Sequence, residues 1–184
     1  MYGPSLSSGT TKSGAHITLT PPSSSHIEKL VAWLSTEEVM KHLNPDWQPT
    51  TAEQEQETLK TFEQAKDSIH WDIVVDSKPV GAAWINEIDH TFQWGSFGLL
   101  IGEQDAWGMG IGTEVARAVC DYAFSQTTLH SIKIAFTKEN IGSKKIAEKL
   151  GFTLTPGVAH FTDGKSYPGW DGVLLKPIPD QTKD

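Results

Sequence analysis

The chain predicts a mixed α/β fold: an antiparallel meander followed by one βαβ unit. Three observations carry this. Three β-type runs, at residues 70–75 (HWDIVV), 80–85 (VGAAWI) and 92–101 (FQWGSFGLLI), follow one another across short polar breaks. Such breaks read as hairpin connections. After Gly112 the apolar period changes to about 3.6 residues, with Ile111, Val115, Val119 and Tyr122 or Ala123 on one stripe. An alternating run at 131–136 (SIKIAF) follows that helix and closes a strand–helix–strand unit.

The elements fall in order around this centre. Residues 1–15 (MYGPSLSSGTTKSGA) hold almost no large apolar groups. Such a segment buries too little surface to offset its ordering entropy, and it reads as a disordered tail. A short strand at 16–20 (HITLT) stops at Pro21 and Pro22. Ser25 with Glu28, Ser35 with Glu38 and Thr50 with Glu53 each form a capping-box pattern. The last opens a helix near 51–66, with Leu59 and Phe62 inward. The helix after Gly112 runs to about Phe124, and a further helix over 140–150 ends at Gly151, a natural C-terminal cap. Strands near 153–160 and 173–175 complete the set, and residues 177–184 read as a second tail. One domain is expected, from 16 to 176.

Composition narrows the function. Lys plus Arg is 15 and Asp plus Glu is 23, a net charge of −8. That argues against a nucleic-acid partner, since phosphate neutralisation needs a basic surplus. A single cysteine, Cys120, forbids an internal disulfide and a cysteine-cage zinc site. The seven histidines show no paired metal-ligand spacing, so no metal is expected. No run of about 18 apolar residues and no secretory start appear, so the expectation is a cytoplasmic protein, monomer or homodimer, with no membrane partner.

The segment with chemical content is LLIGEQDAWGMGIGTEVARAVCDYAF, residues 99–124. A strand runs into a loop, then Gly108, Met109, Gly110, Ile111 and Gly112, then a helix. Glycines let backbone N–H groups approach a ligand closely, and a helix start adds unpaired donors and a positive dipole end. Phosphate or pyrophosphate suits such a turn. Three ligand classes remain open, beside a tight turn with no ligand. A dinucleotide fits only a broken GxGxxG (Gly108, Gly110, Thr113), with Glu139 after the next strand. A nucleoside triphosphate lacks its GxxxxGK[ST]. The third class is the phosphorylated ADP of coenzyme A.

The string WGMGIGTEVA at 107–116, with Asn140-x-x-Ser143 and Leu150-Gly151-Phe152 downstream, resembles the GNAT N-acetyltransferase superfamily, in its RimJ/RimL-like branch. Trp107 stands where that family's signature carries Gln or Arg, and Gly110 and Gly112 match its two glycines. The resemblance implies a splayed central sheet and acetyl-CoA as co-substrate. Pantetheine would lie between the strands at 92–101 and 131–137, on backbone groups of Leu99, Leu100 and Ile101. The N–H groups of Met109, Gly110, Ile111, Gly112 and Thr113, after Trp107 and Gly108, would hold the pyrophosphate. Asn140 and Ser143 would sit near the thioester sulfur.

The implied activity is direct acetyl transfer to a primary amine, such as a protein N-terminus, a polyamine or an aminoglycoside. Departures from the family pattern leave the catalytic groups open. Ala147 stands where many members carry a general-acid tyrosine, and Ser96 where many carry a glutamate. Ser143 would then serve the leaving sulfur, or simply bond a helix carbonyl. His160 falls near a catalytic glutamate of RimL-like enzymes, as base, substrate contact or structural residue. Glu87, Asp89 and His90 offer a base acting through water. The acceptor site would draw on residues 43–47, on Glu53, Glu55 and Glu57, and on 161–170. Two rivals stand: an acyl-CoA-binding domain without turnover, and an NAD-dependent oxidoreductase.

Overall fold

In a computed structural model, residues 1–41, 43, 48–160 and 166–178 are described. Eight strands form one sheet: β1 (Leu6–Thr10), β2 (His16–Thr20), β3 (Ile69–Val75), β4 (Lys78–Asp89), β5 (Trp94–Ile101), β6 (Ser131–Thr137), β7 (Thr153–His160) and β8 (Ser166–Leu175). Their order is β1-β2-β3-β4-β5-β6-β8-β7. Every neighbouring pair is antiparallel except β5 and β6, which are parallel. The helices are α1 (Ile27–Leu34), α2 (Glu37–Met40), α3 (Ala52–Gln64), α4 (Ile111–Gln126) and α5 (Ile141–Leu150). The meander and the single βαβ unit, β5-α4-β6, are those the sequence predicts.

The strands alternate in burial, and the helices divide between the two faces. Val115, Ala116, Val119 and Ala123 of α4 are fully buried. Val115, Val119 and Ala123 pack with Ile17, Ile73 and Ile85 in the main core. On the other face Trp33 of α1, Val39 of α2 and Leu100 of β5 form a smaller cluster. Successive residues of β5 thus serve opposite faces, as a pleated strand requires. No described helix is long and apolar enough to cross a membrane.

The N-terminal segment departs from expectation. Residues 1–15 are not a tail: β1 pairs with β2, with Leu6 opposite Leu19. Main-chain bonding and one close contact replace the missing apolar groups. Gly3 N–H donates to the His70 carbonyl at 2.9 Å, and His70 N–H to the Met1 carbonyl at 3.1 Å. Trp71 Nε1 donates to the Pro4 carbonyl at 3.0 Å. A Cβ on Gly3 would lie 1.8 Å from the Trp71 indole, so only glycine lets the chain pass here. Caps also shift. Thr51, not Thr50, caps α3 in a box with Gln54. Ser23, not Ser25, caps the 3-10 turn before α1, and α2 begins at Thr36 without a side-chain cap.

This N-terminal packing sets a pH response. His70 is buried, its ring stacked on Phe62 at 3.6 Å between centroids, with Nε2 2.9 Å from Ser68 Oγ. Burial, then the positive N-terminus, lowers its pKa from 6.5 to about 4. The unfolded chain therefore binds a proton on this ring before the folded chain does. Stability is unaffected above pH 6.5, falls as pH drops through that value, and levels off near pH 4. The uncorrected difference is about 3 kcal/mol, and with the charged N-terminus close to solvent about 2 kcal/mol is expected. Urea titrations between pH 7 and 4.5 measure it, and His70→Gln is expected to flatten the slope. An equal slope in that variant would assign the loss elsewhere.

Candidate functional site

The parallel strands β5 and β6 pair only at their beginnings, Trp94–Ser96 against Ser131–Lys133. Beyond that register they diverge, and a cleft of about 490 Å³ opens between them. Phe97, Gly98 and Leu99 form one wall; Ile134, Ala135 and Phe136 form the other. Asn140, Ser143 and Ala147 of α5 overhang it, and Glu87 and Asp171 also line it. Main-chain groups that would have closed the sheet here are left for a ligand with amides of its own. Gly98 is held to glycine by its neighbour strand, since a Cβ there would lie 2.4 Å from the Trp84 indole.

The glycine-rich loop leads from the end of β5 into α4. Gly108 (φ 75°) and Gly110 (φ 89°) adopt left-handed backbone, which glycine takes without strain. Gly110 is the N-cap of α4. The N–H groups of Gly108, Met109, Gly110, Ile111 and Gly112 meet no acceptor among the described residues. Five consecutive free donors at the start of a 16-residue helix make an oxyanion cradle. Trp107, 43% exposed, folds back, and its Nε1 donates to the Ile101 carbonyl at 2.8 Å.

The cleft gathers some of the predicted residues and not others. Leu99, Asn140 and Ser143 line it. The Leu100 side chain faces the opposite side, against Trp33 and Val39, and the Ile101 carbonyl already serves Trp107. Asn140 caps α5 by accepting from Ser143 N–H at 3.0 Å. The Ser143 hydroxyl bonds no helix carbonyl among the described residues. His160 closes β7 opposite Ser166, but its side chain lies outside the described part, as do residues 44–47 and 161–165. Of the three turn candidates only Glu87 reaches the cleft. Asp89 accepts from the N–H groups of Thr91 and Phe92, both at 2.8 Å, and His90 Nε2 lies 3.3 Å from the Lys66 carbonyl.

Asp171 was not singled out by sequence. It falls in the longer β8, and its carboxylate lies 1.9 Å from where a Cβ on Gly157 would stand. Glycine at 157 thus makes the space it occupies. The charged residues among the described lining are both carboxylates, Glu87 and Asp171. Cys120 lies on the buried face of α4, and burial, then Asp121, pushes its thiol up to about 12. It is no nucleophile for a covalent acyl intermediate.

Comparison with known proteins follows the same geometry. A family model described as an acetyltransferase (GNAT) domain matches residues 16–153. Probable N-acetyltransferase YjcK of Bacillus subtilis (strain 168) is 47% identical over 45 residues, 24% of this chain and 25% of the relative. Spermidine N(1)-acetyltransferase of Escherichia coli (strain K12) is 28% identical over 85 residues, 46% of this chain and 45% of the relative. The matched stretches thus span less than half of these relatives. Among solved structures, RimL, the ribosomal L7/L12 alpha-N-protein acetyltransferase in complex with coenzyme A, superposes with a TM-score of 0.78 at 16% identity, covering 94% of this chain and 98% of that one.

Proposed function

The chain belongs to the acetyltransferase (GNAT) family, and from that premise we propose that it moves the acetyl group of acetyl-CoA directly to a primary amine. The observation that carries the proposal is the divergence of β5 from β6 beside the free N–H groups of the loop. Pyrophosphate fits the free donors of residues 108–112, while the Thr113 N–H, also expected there, donates to the Gly110 carbonyl at 3.1 Å; pantetheine fits the gap beside Leu99. Trp107 braces the loop instead of reaching for the ligand. The inert Cys120 favours direct transfer over an acyl-enzyme.

The acceptor enters as an ammonium with an ordinary pKa of about 10.4 and must lose a proton before its nitrogen attacks the thioester carbon. Glu87, with water between, takes that proton in this proposal; His160 is the rival base. A β5 main-chain N–H facing the gap steadies the oxyanion. The C–S bond then breaks, the Ser143 hydroxyl hydrogen-bonds the departing thiolate, and the second proton shed by the attacking nitrogen passes to that sulfur, giving an amide and free CoA thiol. Two carboxylates and no cation among the described lining residues favour an acceptor with more than one positive centre, a polyamine over a protein N-terminus. The catalytic domain is taken as residues 1–176, N-terminal hairpin included. A lone, buried thiol suits the reducing cytoplasm.

Thermal shift with acetyl-CoA and NADH, followed by thiol release with an amine panel, tests the proposal. Ligand at about 100 Kd adds about 2.7 kcal/mol, a shift of several degrees. Acetyl-CoA is expected to give that shift, and spermidine-like amines to release thiol. Binding without release from any amine would leave an acyl-CoA-binding domain. A shift with NADH alone would leave an oxidoreductase.

A further inference from the structure

The glycine-rich loop does not hold its shape alone. The turn joining β1 to β2 lies against it, and this turn precedes the segment matched by the family model, which begins at residue 16. The turn is tightly fixed. Thr11 N–H donates to the Ala15 carbonyl at 2.8 Å and Gly14 N–H to the Thr11 carbonyl at 2.9 Å. Thr11 Oγ1 accepts from Ala15 N–H at 3.0 Å and lies 2.9 Å from Ser13 Oγ. Lys12 is presented from its tip. Its N–H donates to the Met109 carbonyl at 3.0 Å. Its ammonium donates to the Gly108 carbonyl at 2.7 Å. The Lys12 stem passes Gly110, with Cγ 3.8 Å from where a Cβ would stand.

These two bonds fix where the donors point. Among the described residues no peptide bond is cis. In a trans peptide the carbonyl and the following N–H point in opposite directions. With the Gly108 and Met109 carbonyls turned toward Lys12, the N–H groups of Met109 and Gly110 are turned away from it. They are two of the five donors left without an acceptor. A cation on the Gly108 carbonyl also polarises that peptide and strengthens the Met109 N–H as a donor.

We infer that Lys12 is a positioning residue for the phosphate side of the co-substrate, holding the glycine-rich loop with its N–H groups aimed at the pyrophosphate. The inference rests on the CoA reading of the loop. It gives β1 and the turn that follows it, which precede the family match, a part in donor binding. The side chain acts through the loop and touches no reacting atom. Its loss therefore weakens binding of phosphorylated donors and spares the chemical step.

The test compares the full-length wild type with Lys12→Met and Lys12→Arg. Each is titrated calorimetrically with CoA and with pantetheine, which lacks the pyrophosphate. Steady-state rates with acetyl-CoA are then measured. Lys12→Met is expected to bind CoA about tenfold more weakly, about 1.4 kcal/mol, with pantetheine affinity unchanged. KM for acetyl-CoA rises to match, kcat at saturation holds, and Lys12→Arg restores CoA binding to within about threefold, since it keeps charge and donors. CoA affinity within about twofold of wild type in Lys12→Met would overturn the inference. So would parallel loss of CoA and pantetheine, which marks a hairpin that only supports the fold. A wild type that binds no CoA would instead overturn the reading of the loop itself, and this inference with it.

Discussion

Glu87→Gln is expected to lower kcat/KM for the amine about a hundredfold. Among the described residues, four non-glycine positions have positive φ: Asp76, Ser77, Glu87 and Gln93. Three lie in turns between strands, but Glu87, at φ 54°, lies within β4. The β4–β5 register breaks there, between Asn86 and Asp89. A bulge of this kind re-aims a side chain, and a left-handed non-glycine costs roughly 1–3 kcal/mol that the surroundings must offset. The re-aimed carboxylate stands in the cleft with Ser143. Gln keeps shape and polarity and loses only the capacity to accept a proton. His160→Ala is the discriminating partner. If Glu87 is the base, that variant keeps kcat/KM within about threefold of wild type. A loss of about a hundredfold in His160→Ala, with Glu87→Gln near wild type, would move the role to β7.

The contrast between Glu87 and its neighbours shows what a sequence reveals of such a site. The glycine-rich turn and the Asn140–Ser143 pair are readable because their causes are local. Left-handed glycines and an N-cap depend on a few adjacent residues. Glu87 reads as a loop residue because β4 runs on to Asp89 through its bulge. Asp171 is hidden because Pro168, Gly169 and Gly172 read as breakers, which cuts the last strand to three residues. In the folded chain those glycines admit close neighbours. A Cβ on Gly169 would lie 2.3 Å from the Phe136 carbonyl, and one on Gly172 would lie 2.7 Å from Ile134. The N-terminal hairpin escapes for another reason. It is held by main-chain bonds and by the fit of Gly3 on Trp71, neither of which leaves an apolar pattern.

Ser143→Ala is expected to lower kcat about tenfold to a hundredfold while leaving the Kd for CoA unchanged. The leaving thiolate needs a hydrogen-bond donor, and the family's usual tyrosine position holds Ala147, which is 1% exposed and packed against the cleft. Ser143 stands on the first turn of the ten-residue α5, where the helix start favours negative charge. Its N–H is tied to Asn140, so the backbone stays in place when the hydroxyl is removed and binding is spared. The hydroxyl itself has no hydrogen bond to the described protein, so nothing in the fold competes for it. Ser96 is another hydroxyl on the cleft wall and serves as the control. Ser96→Ala is expected to hold kcat within about threefold, and Ser143→Thr to recover part of the loss. Single-turnover rates at saturating acetyl-CoA separate chemistry from release of products. An unchanged rate in Ser143→Ala would return Ser143 to a capping role, and the thiolate would then leave with a proton from water.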